Sequence, residues 1–289
     1  MNIWDEIKES FREGSALTRL IYINLGVFIL IRVINVFFVL SGTPFPLLDW
    51  LALPADFGTL ATRPWTLITY MFLHFEFLHI LFNLLWLYWM GQIFLSYFNQ
   101  EKLIAIYLLG GITGGLFYVA GFNLFPVFSG IIADSRLLGA SASVVAIVAA
   151  LAIHVPNHTI NLMFIGPVRM KYLALFSIVM YVIGISSTNA GGNLAHLGGA
   201  FWGMVYIFQL RRGMDPGKWI SSFFKGTGKL FKPKPKVKIT YRKPVDDIDY
   251  NRQKNKELLR MNEILEKISK SGYDSLSKEE KEILFRSGK

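Results

Sequence analysis

Ser141 lies in the segment Gly139-Ala140-Ser141-Ala142, at the head of an apolar run over 137–155. A hydroxyl among small residues at a helix N-terminus is a candidate nucleophile. Unpaired backbone N–H groups and the positive end of the helix dipole favour an oxyanion there. A serine also needs a base within hydrogen-bond reach to react at neutral pH. The alternative for one such serine is packing, with its hydroxyl bonded back to a carbonyl of its own helix. Its polar company decides between the two. His196 stands among Ala195, Gly198, Gly199 and Ala200, and shares one helical stripe with Gly199 and Gly203. His79 and Asn83 are four apart, on one helix face, with His74 just before them. His196 is therefore the candidate base. His79, Asn83 and the Ser141 N–H are candidate donors to an oxyanion. By themselves, His79 and Asn83 read as an interhelical polar contact. No acid is evident to orient His196, so a dyad rather than a triad is expected.

Other routes to chemistry inside a membrane lack their residues. The chain has no cysteine, which removes thiolate nucleophiles, disulfides and Cys-based metal sites. His-Glu-x-x-His is absent. The apolar segments hold no aspartate, so an aspartate pair is excluded. The nearest lysine, Lys171, falls on the opposite face by the segment count below. A channel or transporter would call for broken helices or an ion site beyond Arg32.

The elements that must position these residues are membrane spans. The chain has 289 residues, 53% of them hydrophobic and 15% aromatic, and its mean hydropathy is +0.40. Apolar segments of about 20 residues predict an all-α integral membrane protein. Six spans are expected, over 20–40, 77–97, 103–125, 137–155, 172–189 and 193–210. The third carries Gly110/Gly114 and Gly111/Gly115, which allow close backbone approach and make it central. Arg32, inside the first span, is expected to snorkel or to pair within the bundle. The proline-rich stretch 41–65 is too apolar for an ordinary loop and is expected to lie in the interface. Six spans put both termini on one side together with Arg12, Arg19, Arg169, Lys171, Arg211 and Arg212, which the positive-inside rule makes cytoplasmic. The heads of spans 2, 4 and 6 then share the outer depth, so His79, Ser141 and His196 are expected at one level.

Four regions follow. Residues 1–18 form a cytoplasmic amphipathic segment with Ile3, Trp4, Ile7 and Phe11 on one face; no cleavable signal peptide is evident. Residues 19–212 are the six-span domain. Residues 213–248 are a basic Lys/Pro linker. The excess of Lys and Arg around it suits anionic lipid headgroups, not nucleic acid. Residues 249–289 are a small cytoplasmic helical hairpin, with a capping box at Ser277-x-x-Glu280. The hairpin is either a tether for a cytoplasmic partner or a stabilising appendage.

These residues resemble the rhomboid family of intramembrane serine proteases. His79-Ile-Leu-Phe-Asn83 resembles its second-span His-x-x-x-Asn, and Gly139-Ala140-Ser141 its Gly-x-Ser-Gly. Ala195-His196-x-x-Gly199-x-x-x-Gly203 resembles its sixth-span motif, and His74 matches a further histidine. The motifs stand in order on separate spans over about 20–212. The resemblance implies a six-helix transmembrane bundle with Ser141 as nucleophile, recessed but open to water. It implies His196 as base and His79, Asn83 and the Ser141 N–H as the oxyanion hole. It implies no metal or cofactor, and transmembrane protein substrates that unwind at small residues. The expected location is the bacterial inner (plasma) membrane, both termini cytoplasmic. Two positions depart from the family pattern: Ala142 replaces a glycine, and Val145 an aromatic that packs on the histidine. They keep open a catalytically weak or inactive relative that binds membrane segments.

Overall fold

A computed structural model describes residues 2–162, 165–220 and 247–287. The chain divides into two compact units, Met1–Lys232 and Pro233–Lys289.

The first unit opens with α1 (Ile3–Glu13) and α2 (Ala16–Leu40). The break between them is local chemistry. Ser15 caps α2 by accepting from the Thr18 N–H, and Arg19 donates to the Phe11 and Arg12 carbonyls that end α1. Trp4, Ile7 and Phe11 are exposed along α1, as an interfacial helix requires. Then come α3 (Leu47–Leu51), β1 (Leu53–Pro54), α4 (Phe57–Thr62), α5 (Thr66–Thr69), α6 (Phe77–Leu95) and α7 (Gln100–Leu124). They are followed by β2 (Arg136–Leu137), α8 (Ser141–His154), β3 (Thr159–Leu162), β4 (Gly166–Arg169), α9 (Met170–Gly184) and α10 (Ala190–Arg211).

Three of these helices, α2, α6 and α7, are long and apolar enough to cross a membrane, and α7 is the most buried of them. The helices at the expected fourth and fifth spans are shorter than 137–155 and 172–189: α8 has 14 residues and α9 has 15, about 20 Å at 1.5 Å per residue. The reason for α8 is visible: Arg136–Leu137 pair antiparallel with Leu53–Pro54, so the apolar run begins as a strand and turns helical only at Ser141. The serine is thereby set below the level at which the run begins.

Residues 41–65 are structured. Asp56 caps α4, accepting from the Thr59 N–H at 2.6 Å and the Thr59 hydroxyl at 2.8 Å. These bonds, the backbone one first, hold its carboxyl below the usual carboxylate range. Trp50 and Trp65 stack at 5.9 Å with Arg63 over Trp50, and both indoles are exposed, a pattern that suits the membrane interface. Arg32 lies 4.7 Å from the Phe75 ring centroid, a cation–π contact in place of a carboxylate partner.

The core is α7, α8 and α10. Gly199 and Gly203 of α10 lie under the Ala142 and Ala146 carbonyls of α8, where a Cβ on either glycine would collide. Asn24 and Tyr107 are matched in the core: Asn24 donates to the Tyr107 hydroxyl at 3.0 Å, which donates to the Met71 carbonyl at 3.0 Å.

In the second unit, α11 (Asp247–Ser271) ends at Gly272, whose φ of 76° suits a helix stop, and α12 (Lys278–Ser287) follows. The capping box forms: the Ser277 N–H donates to Glu280 Oε2 at 2.7 Å and the Glu280 N–H to Ser277 Oγ at 3.3 Å. Lys267 reaches the same carboxylate at 3.0 Å. Ile264 and Leu276 are the buried contacts of this hairpin. Most of the basic linker, 221–246, lies outside the described residues.

Candidate active site

Ser141 is the first residue of α8, after Ala140 as N-cap. The first bond of the helix runs from the Val144 N–H to the Ala140 carbonyl. The Ser141 N–H therefore stands ahead of the helical ladder. Two contacts fix the approach. The Gly139 N–H donates to the Tyr70 carbonyl at 2.9 Å, and the Ala140 N–H to His74 Nε2 at 3.3 Å. His74 is fully buried and thus shapes the loop ahead of the serine.

His196 lies on α10 opposite this helix start. Its Nε2 is 2.7 Å from Ser141 Oγ. The close approach of α8 and α10 at Gly199, one turn beyond His196, sets that distance. Its Nδ1 is buried with no hydrogen-bond partner among the described residues, so no carboxylate orients the ring. An aromatic ring does: Tyr181, from α9, lies 4.5 Å from the imidazole, tilted by 53°. Val145 stands where the family pattern has an aromatic, and the chain supplies the ring from another helix. Ala142 is accommodated as well, buried against Gly114 and Gly199.

His79 lies on α6, its ring against Gly139. A Cβ on that glycine would stand 2.7 Å from His79 Cε1 and 2.8 Å from Nε2, and its φ of 117° is one that side chains rarely adopt. Glycine thus lets the histidine close on the serine loop. Asn83, one turn on, donates from Nδ2 to the His79 carbonyl at 2.9 Å, which leaves its second amide hydrogen available. Ser141, His79 and Asn83 line one cavity of about 790 Å³, walled by α6, α8 and α9. Much of its wall is apolar, including Phe82, Trp86, Val148 and Leu173.

All four sequence-derived residues thus converge. Tyr181 and Ser177 were missed. Both line the cavity, and a signal was present: two polar residues four apart on one face, in a stretch that is apolar beyond Tyr172.

Comparison with known proteins places the chain in a family. Residues 61–213 match the Rhomboid domain, and residues 245–287 match a family of unknown function, DUF6576. RHOMBOID-like protein 12, mitochondrial, of Arabidopsis thaliana is 28% identical over 219 residues, covering 73% of this chain and 62% of the relative. Rhomboid protease GlpG of Yersinia pseudotuberculosis is 27% identical over 191 residues, covering 64% of this chain and 62% of the relative. A GlpG of Salmonella newport is 38% identical over 66 residues, 23% of this chain and 24% of the relative. The chain spans 62% of the length of the first two. The Rhomboid match covers more than half of the 289 residues, and this integral membrane protein belongs to the rhomboid family.

Proposed function

We propose that the chain is an intramembrane serine endopeptidase that hydrolyses peptide bonds in or near the transmembrane helices of protein substrates. The observation that carries this reading is the 2.7 Å contact between His196 Nε2 and Ser141 Oγ at the edge of a large cavity. In this mechanism neutral His196 accepts the Ser141 proton as Oγ attacks the carbonyl carbon. The oxyanion is held by the Ser141 N–H, His79 and Asn83. His196 then gives the proton to the leaving amine, and the acyl-enzyme forms. A water that loses its proton to His196 completes hydrolysis and regenerates the serine. Tyr181 is a positioning residue: it holds the ring that no carboxylate holds. In this reading the serine-bearing face is the outer one, and the face with Arg169, Lys171, Arg211 and Arg212 is cytoplasmic. Lipid headgroups are the proposed partners of the basic linker, and a cytoplasmic protein that of the hairpin.

The test is cleavage of a model single-span substrate by the full chain in membranes. Cleavage is expected to be lost in both Ser141→Ala and His196→Ala. Cleavage that survives both changes would remove the dyad. A second reading, a relative that binds membrane segments without cutting them, is favoured by Ala142 and Val145; it predicts substrate capture with no cleavage by the unaltered chain.

A further inference from the structure

Among the described residues that line the cavity, one carries a charge: Glu76. It is the N-cap residue of α6, one turn before His79, and its side chain makes no capping bond. It is exposed. Apart from Asp134, which is exposed and does not line the cavity, the other charged groups of this face are already engaged. Its connections, 41–76, 125–140 and 185–189, carry Asp49, Asp56, Glu76 and Asp134 against Arg63 and Arg136, with no lysine. Arg136 pairs with Asp49 at 3.3 Å. Arg63 lies over Trp50 and donates to the Asp49 carbonyl. Asp56 is bound to Thr59. The local balance is therefore acidic, and Glu76 is the carboxylate that a chain entering the cavity meets.

We propose that Glu76 is a specificity determinant that favours substrates with a Lys or Arg within about three residues of the cleaved bond, on the flank that leaves the cavity at this face. The distance follows from geometry. One turn of α6 rises about 5.4 Å and an extended chain advances about 3.3–3.6 Å per residue, so two or three residues lead from the level of His79 past Glu76. The cavity wall around Glu76 is largely apolar, which strengthens a charge pair relative to one in open water. This proposal rests on the proteolytic reading for its consequence, but the selection itself is a matter of binding.

The test therefore uses the full chain with Ser141→Ala in detergent. Dissociation constants are measured for a synthetic single-span peptide that carries Arg, Gln or Glu in its aqueous flank. Arg is expected to bind about tenfold more tightly than Glu, an effect that shrinks as salt is raised. Adding Glu76→Gln should bring the ratio below about twofold, and Glu76→Lys should invert it. Because Glu76 makes no capping bond, Glu76→Gln should leave the thermal unfolding temperature nearly unchanged, and Glu76→Lys should lower it only slightly, through the helix dipole. The same Arg preference with Glu76→Gln, or no charge preference at all, would overturn the proposal. The same peptides given to the chain with Ser141 intact separate the two readings. Selective binding without cleavage ends the proteolysis reading and leaves the Glu76 assignment standing. Equal binding and cleavage of all three peptides ends the Glu76 assignment alone.

Discussion

α8 and α10 meet backbone to backbone, whereas α6 and α9 stand on either side of a cavity. The first pair is joined by the smallest residues of the chain. Almost all of α8 between Ala142 and Ala152 is buried, and Gly199 and Gly203 admit its carbonyls. On α9 the buried residues, Met170, Leu173 and Ala174, lie in the first two turns, and beyond them Leu175, Phe176, Val182 and Ile183 are exposed. The difference separates two jobs. Nucleophile and base sit on the pair whose spacing cannot drift, and the opening beside them is bounded by a helix with few buried anchors. Tyr181 joins the two halves, because it belongs to the loosely held helix yet packs on the base.

The comparison can be broken from the tight side first. Gly199→Leu would push α10 off the Ala142 carbonyl. A shift of about 1 Å between catalytic groups costs on the order of a hundredfold in rate, and overpacking costs about 1–3 kcal/mol of stability. Substrate cleavage and thermal unfolding in detergent would register both. A smaller effect is expected where the halves join. An aromatic pair contributes about 0.5–1.5 kcal/mol, so Tyr181→Ala should slow cleavage roughly two- to tenfold, while Tyr181→Phe keeps the ring and stays within about twofold. Equal losses in both would assign the effect to the hydroxyl instead. Smaller again is the outer face of α9: Leu175→Ala, at a residue 60% exposed, should change the unfolding temperature in detergent hardly at all.

The hairpin lies outside both halves and gives a pH prediction. The Ser277 N–H, and then Lys267, hold the Glu280 carboxyl below its ordinary range. A group whose folded pKa is lowered contributes its stability above the unfolded value and loses it as pH falls. Protection of the α12 amides in the full chain, measured against the intrinsic exchange rate at each pH, should therefore fall on acidification through and below the usual glutamate range. Glu280→Gln should flatten that dependence.

Much of the site was legible because its residue types are costly in lipid. Ser141, His79, Asn83 and His196 stand out against apolar spans, and counting spans puts three of them at one depth. The glycines that bring α7 and α10 against α8 were legible from their spacing of four on one helix face, and the capping box at Ser277 was legible from local chemistry alone. The start of α8 was not. A buried strand and a buried helix are equally apolar, so hydropathy could not separate Leu137 in β2 from Ser141 in α8. The hairpin of β3 and β4 was missed because Thr159–Leu162 and Gly166–Arg169 are too short to carry a period. Ser177 and Tyr181 show as polar residues four apart, but the role of Tyr181 depends on which helix lies beside His196, and sequence spacing does not encode that.

The central claim is that His196 makes Ser141 nucleophilic, and labelling by a fluorophosphonate probe tests it most directly. The full chain in detergent or membranes should label at Ser141, with labelling lost in Ser141→Ala and reduced at least a hundredfold in His196→Ala. Labelling of His196→Ala at the rate of the unaltered chain would contradict the account.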